Sequence, residues 1–176
     1  MLVDMMKAGT ISKEFYDWLI LSGFTSAPAS TKYHGAFRGG LYEHSCDVAR
    51  ELLHLTDRLD LKWQRPESPY IVGMFHDLCK IDAYKVDTYH YDNELGEIVD
   101  DSYKHNEDQL IKGHGDKSVM LLSRFMELTE EEILCIRYHM GAYETDDWKQ
   151  FDLAIKKYPN VLFTHTADML ASKLRV

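Results

Sequence analysis

Cysteine is scarce in this chain and long apolar runs are absent. The three cysteines among 176 residues, Cys46, Cys79 and Cys135, form no CxxC pair, which excludes a disulfide scaffold and suits a reducing compartment. No stretch approaches the roughly 20 apolar residues of a membrane span, and the opening MLVDMMKAGT lacks the basic region and apolar run of a secretory signal. A cytoplasmic protein with no membrane partner is the expectation. Cationic charge is also thin: 20 lysines and arginines stand against 29 acidic residues, a formal charge of -9. That balance argues against a surface that clings to nucleic acid throughout, because phosphate backbones are held mainly by lysine and arginine. A local site carrying bound divalent cations reverses the sign over a few ångströms and keeps a phosphate-bearing ligand admissible. There is no GxSxG elbow, no Walker-type glycine loop and no cysteine in a catalytic motif. No repeat, low-complexity tract or linker divides the chain, so residues 1–176 read as one domain.

What the chain does have is apolar residues, 45% of it, and nine histidines. The apolar positions follow helical spacing. A first helix is expected over 12–22, with Ser12 as N-cap and Phe15, Trp18 and Leu19 at i, i+3, i+4. After Gly23, TSAPASTKYHGAFRGG reads as an irregular connector. A helix over about 41–60 carries Leu41, Val48, Leu52, Leu55 and Leu59 along one stripe. Pro66 and Pro69 break the chain before YIVGMFHDLC, the expected central buried helix, with His76 and Asp77 near its end. Residues 82–113 begin as a polar, tyrosine-rich, partly alternating stretch, which predicts a β-hairpin or loop inserted between helices. Helical patterning resumes over 114–127 and 130–140, the second opened by a Thr129/Glu132 capping box. Helices near 148–157 and 159–173 follow, and the acidic stretch from Glu144 to Asp147 reads as a solvated helix start.

Six residues then require a common explanation: His44, the adjacent pair His76-Asp77, His114, His139 and Asp168, each near an end or on the inner face of an expected helix. Imidazole and carboxylate are what borderline divalent metals accept, and an aspartate can bridge two ions through its two oxygens. Neighbours on a helix point about 100° apart, so His76 and Asp77 meet one metal only where the helix ends or the ion sits across its tip. Gly73 permits a close approach there. Six ligands exceed what one ion uses if water and substrate also bind, and they fit two ions roughly 3.5–4 Å apart. Such a pair polarises phosphoryl oxygens and turns a bound water into the attacking hydroxide, with no side-chain nucleophile.

The segments GGLYEHSCDVA, FHDLCK, GHGDKS, YHMG and HTADMLASK, spanning about 39–173, resemble the successive motifs of the HD-domain metal-dependent phosphohydrolase superfamily. The resemblance implies an all-α HD-domain bundle in which His44, His76, Asp77 and Asp168 hold one metal and Asp77 bridges to a second held by His114 and His139. That places the chain with the two-metal branch, which includes cyclic-dinucleotide phosphodiesterases and an HD-containing bacterial exoribonuclease. Lys80 matches a lysine that follows the HD pair and contacts substrate phosphate, and His165, three residues before Asp168, resembles a histidine of the exoribonuclease pattern. Two departures limit the substrate assignment: HMGAYETDD stands where the cyclic-di-GMP enzymes carry GYP, and no oligonucleotide-binding domain accompanies the motifs.

The implied activity is hydrolysis of a nucleotide or short nucleic-acid phosphate ester with two divalent ions drawn from manganese, iron, cobalt, nickel or zinc. The catalytic group is Asp77, Lys80 and His165, and the partner is a phosphate-bearing small molecule or short oligonucleotide. Substrate recognition is expected from the 82–113 insertion and from Lys32, His34 and Arg38 of the connector. Two alternatives remain open on the residues, a mixed-valent di-iron oxygenase of HD type and a nucleotide-binding regulatory domain. Against these functional readings, Cys79 among apolar neighbours reads as packing. His54, His90 and His105 lie off the motif series and read as surface or packing residues. The insertion's tyrosines suit either base stacking or a small sheet.

Overall fold

Helical periodicity runs through most of the chain, and the computed structural model, which describes residues 1–91, 98–111, 113–141 and 148–174, is mostly helical with one two-stranded antiparallel sheet. A short α1 (Leu2–Lys7) precedes the expected first helix; its single turn and a half is too brief for periodicity to reveal, yet Leu2 and Met5 are buried. Helix α2 (Lys13–Leu21) starts where Ser12 Oγ accepts the Phe15 N–H at 3.1 Å, as the N-cap reading requires. Helix α3 (Gly40–Leu59) buries Leu41, Val48 and Leu52, but the stripe does not run to its end: Leu59 lies beyond the packed region and is 51% exposed. Helix α4 (Ser68–Phe75) accepts Pro69 in its first turn, where no N–H is needed, and all its residues except Tyr70 are buried.

Beyond α4 the chain tightens through His76 and Asp77 into a 3-10 turn, Leu78–Asp82, and then into the inserted hairpin β1 (Tyr84–Tyr91) and β2 (Ile98–His105). The pairing is antiparallel with Tyr84 opposite His105, and irregularities fall between Val86 and Thr88 and between His90 and Tyr91. Helix α5 (Gly115–Leu122) is shorter than its apolar pattern suggests, and α6 (Glu130–Arg137) opens with the full capping box of Thr129 and Glu132. Helices α7 (Trp148–Lys157) and α8 (Asn160–Leu174) complete the chain, while the acidic stretch Glu144 to Asp147 lies outside the described residues.

The centre of the bundle is α3 against α4 and α8, with α6 against α5 and α8. Phe15 stacks on the partly buried Phe125 at 4.8 Å between centroids and meets Phe75 in a tilted contact at 5.0 Å; a fully buried ring such as Phe15 or Phe75 stabilises by roughly 1.5–3 kcal/mol. A polar clamp ties α4 to α6: Glu132, fully buried, accepts from Arg65 Nε and Nη2 at 2.8 and 2.7 Å and from Ser68 Oγ at 2.8 Å. Among the described residues no helix is long and apolar enough to cross a membrane. All three cysteines are free and buried.

Candidate metal centre

Two glycines let the helices close on one another where the ligand residues sit. A Cβ on Gly73 would lie 2.4 Å from Ala49 Cα, so its absence is what allows α4 to press against α3. That contact sets His76, one residue past α4, beside His44 in the first part of α3. A Cβ on Gly115 would lie 2.3 Å from the Arg137 carbonyl oxygen, so the start of α5 abuts the end of α6. His114 caps α5 and His139 follows α6, and the two therefore meet. Asp168 arrives from α8, which packs against α3.

The outcome is one buried set of ligand atoms. His44, His76 and Asp77 form a group, His76, His139 and Asp168 a second, and Asp77, His114 and His139 a third; within each, one ligand atom per residue lies within 4.8 Å of the others. His44 Nε2 stands 3.2 Å from Asp168 Oδ1, 3.6 Å from Asp77 Oδ2 and 3.3 Å from His76 Nε2. His139 Nε2 stands 3.4 Å from Asp77 Oδ1. All six sequence-expected ligands are thus brought together.

The histidine tautomers follow from the backbone. His76 Nδ1 donates to the Gly73 carbonyl at 2.9 Å and His139 Nδ1 to the Ile136 carbonyl at 2.7 Å. A carbonyl can only accept, so each Nδ1 carries the proton and each Nε2 turns a lone pair into the cavity. Backbone anchoring of the far nitrogen is the usual way a ligating imidazole is oriented. Asp77 Oδ1 and His139 Nε2 are fully buried and, despite their proximity, make no hydrogen bond of adequate geometry among the described residues. Buried polar atoms left in this condition are costly unless something else binds them. The donor set, imidazole nitrogens with aspartate oxygens, therefore fits divalent cations of the borderline class.

Electrostatics prepare the same state. Burial pushes His76 toward its neutral form. Burial opposes the charge of Asp77, but the Lys80 ammonium and His76 outweigh it and hold the carboxylate well below its usual range. Asp168 is likewise buried and likewise held low, chiefly by the hydrogen bond from His44, with the neighbouring His76 and His139 rings adding to it. His139 runs the other way: burial disfavours its cation, but the contact with Asp77 outweighs burial and raises its pKa, so a cation in the site would have to displace that proton.

Lys80 belongs to the site: it is 8% exposed and its Nζ lies 2.7 Å from Asp77 Oδ2. His165 does not join the ligand groups; its Nδ1 donates to the main-chain oxygen of His139 at 2.7 Å, so it acts by holding the His139 backbone. Cys79 packs as expected, its thiol pushed up to about 12 by burial.

The connector departs from expectation at one residue. Lys32 and Arg38 are exposed, but His34 folds inward with its ring 4.8 Å from that of His44. Burial, then the neighbouring His44 and Lys80, lower His34 to about 4, so it stands neutral rather than cationic. Its Nε2 is buried without a hydrogen-bond partner among the described residues. Only the glycine-rich character of the connector hinted at such a turn. His54 and His90 are exposed as expected, whereas His105, also exposed, lines a cavity with Lys80 and His114.

No family model matches the chain, and no curated protein and no solved structure matches it. Two open clefts flank the ligand set. One of about 420 Å³ borders His44 and includes His34, Phe37 and Glu43. Another of about 510 Å³ borders His114 and includes Arg137 and Tyr138.

Proposed function

We propose that the chain is an HD-domain, metal-dependent phosphohydrolase or phosphodiesterase that hydrolyses a nucleotide or short nucleic-acid phosphate ester. The observation that carries this reading is the overlap of the ligand groups, with Asp77 shared between the His44/His76 side and the His114/His139 side. One carboxylate between two imidazole-rich groups is the arrangement that holds a pair of cations. His44, His76, Asp77 and Asp168 would hold one and Asp77, His114 and His139 the other, with manganese, iron, cobalt, nickel or zinc all acceptable to these donors. Ions bound there supply Lewis acidity toward phosphoryl oxygens and acidify water near neutral pH.

The chain's own groups do the rest. Lys80 is fixed by Asp77 and offers its further N–H donors to a phosphoryl oxygen. His76 and His139 keep their lone pairs aimed inward because backbone carbonyls hold their protons outward. The acidic surface repels phosphate at long range, so attraction is confined to the site. Both flanking clefts give a substrate access to the ligand set.

Metal analysis of the purified protein, followed by a phosphatase and phosphodiesterase substrate panel run anaerobically with manganese, tests this reading. Bound metal and phosphate release are expected, and both should vanish in Asp77→Ala. Turnover by metal-free Asp77→Ala at the wild-type rate would overturn the mechanism. Oxygen consumption with iron, in place of anaerobic phosphate release, would move the chain to the di-iron oxygenase class.

A further inference from the structure

Beyond the ligand set, the structure carries a second feature, a small basic cavity at the root of the hairpin. It encloses about 70 Å³ and is lined by Lys80, Tyr84, His105, Gln109, His114 and Lys117, among others. Lys80 and Lys117 are 8% and 5% exposed. Burying an ammonium costs several kcal/mol unless it is well compensated. Among the described residues each has one carboxylate oxygen: Lys80 Nζ meets Asp77 Oδ2 at 2.7 Å, and Lys117 Nζ meets Asp82 Oδ1 at 2.5 Å. An ammonium carries three N–H donors, so each retains donors beyond that contact.

The surrounding frame is built. Asp82 also accepts from Gln109 Nε2 at 2.9 Å, which fixes the carboxylate that positions Lys117. Asn106 closes the base of the hairpin, donating to the Ala83 and Asp82 carbonyls at 2.9 and 2.8 Å. Tyr84 and His105 are therefore held as the first rung of the ladder, with ring centroids 5.4 Å apart, and form one wall. His114, on another side of the cavity, is also a member of the metal-ligand groups.

We infer that this cavity binds the terminal phosphate of a phosphomonoester, so that the substrate is recognised by its phosphate end beside His114. The inference rests on the phosphohydrolase reading above and narrows it to substrates with an end phosphate. Each ammonium is already balanced by one carboxylate, so the match lies in the N–H donors left over: a phosphomonoester, with a charge of about -1.5 to -2 at pH 7, offers them three acceptor oxygens. A phosphodiester carries a single charge and two free oxygens, and leaves donors unfilled. Charge-assisted hydrogen bonds from lysine supply the affinity, and the hairpin's Tyr84 and His105 supply the shape. The role of the insertion is then to complete a phosphate pocket that the helices alone leave open.

Titration calorimetry with inorganic phosphate and with dimethyl phosphate, on manganese-loaded and metal-free protein, tests the inference. Phosphate is expected to bind in preference to dimethyl phosphate. Lys117→Gln should raise the phosphate Kd at least about tenfold, the loss of one charged hydrogen bond. His105→Ala, at an exposed position that leaves the core untouched, should raise it severalfold, and manganese content should be unchanged in both. Dimethyl phosphate binding as tightly as phosphate, or wild-type phosphate affinity in both variants, would overturn the inference. Because manganese content is read separately, a protein that binds phosphate through Lys117 yet holds no metal would refute the phosphohydrolase reading while leaving the pocket in place.

Discussion

His44 Nε2 and His76 Nε2 face each other at 3.3 Å in the bundle interior, although 32 residues separate them in the chain. His76 presents a lone pair, since its proton is held by the Gly73 carbonyl. With Asp77 Oδ2 and Asp168 Oδ1 at 3.6 and 3.2 Å from His44 Nε2, the pair closes one end of a ligand cage.

Splitting that cage from its other end should be possible. His114 belongs to one group, with Asp77 and His139, and to neither of the others. His114→Ala is expected to reduce bound metal from two equivalents to one while the His44 side stays filled. Elemental analysis after gel filtration reads this directly; an unchanged stoichiometry would remove His114 from the ligand set.

His165 should tune metal affinity without changing stoichiometry. Its contact is with the His139 main chain, and groups that orient a ligand typically contribute 10–100-fold in affinity. His165→Ala is expected to weaken manganese binding by about tenfold or more. His165→Asn, which keeps a donor near the Nδ1 position, should recover most of the loss. If the alanine and asparagine variants bind equally well, the backbone contact is without consequence.

Gly73→Ala should damage both fold and site. The added methyl meets Ala49 backbone at 2.4 Å, which α3 or α4 must relieve by moving. Overpacking of this kind costs typically about 1–3 kcal/mol. Because the same contact sets His44 against His76, metal affinity should fall along with the urea midpoint. A variant with wild-type stability and wild-type metal binding would show that the close approach is not needed.

Glu132→Ala separates stability from chemistry. The carboxylate is buried and serves Arg65, Ser68 and the Thr129 cap at once. Removing one partner of a buried ionic network costs on the order of 3 kcal/mol. Thermal melts should register that loss while metal stoichiometry stays at the wild-type value below the midpoint. A shift in Tm of less than about 2 °C would contradict the clamp.

Acid should weaken the fold partly through His34. Its pKa is lowered from 6.5 to about 4 by burial and by His44 and Lys80, so between those values the unfolded chain binds a proton that the folded protein refuses. Stability then falls as pH drops through that window. Urea titrations at pH 7 and pH 5 should show a smaller acid loss for His34→Gln than for the wild-type protein. Equal losses would mean that His34 is not held neutral.

The sequence alone determined the helical periodicity, the N-cap at Ser12 and the capping box at Thr129 and Glu132, because each is a local pattern of spacing and residue type, and it singled out six candidate ligand residues by their side-chain chemistry. Even the hairpin showed as alternation after Asp82. What tertiary structure decided is which distant residues meet. Helix-to-helix approach at Gly73 and Gly115 brought the candidate ligands into one cage, the fold of the connector set His34 against His44, and the packing of α8 stationed His165 behind His139. It also set Tyr84 and His105 around two buried lysines. Chain spacing encodes a residue's place on its own helix or strand; the angle and depth at which elements pack depend on contacts far apart in sequence, and those contacts govern burial, pKa and site geometry.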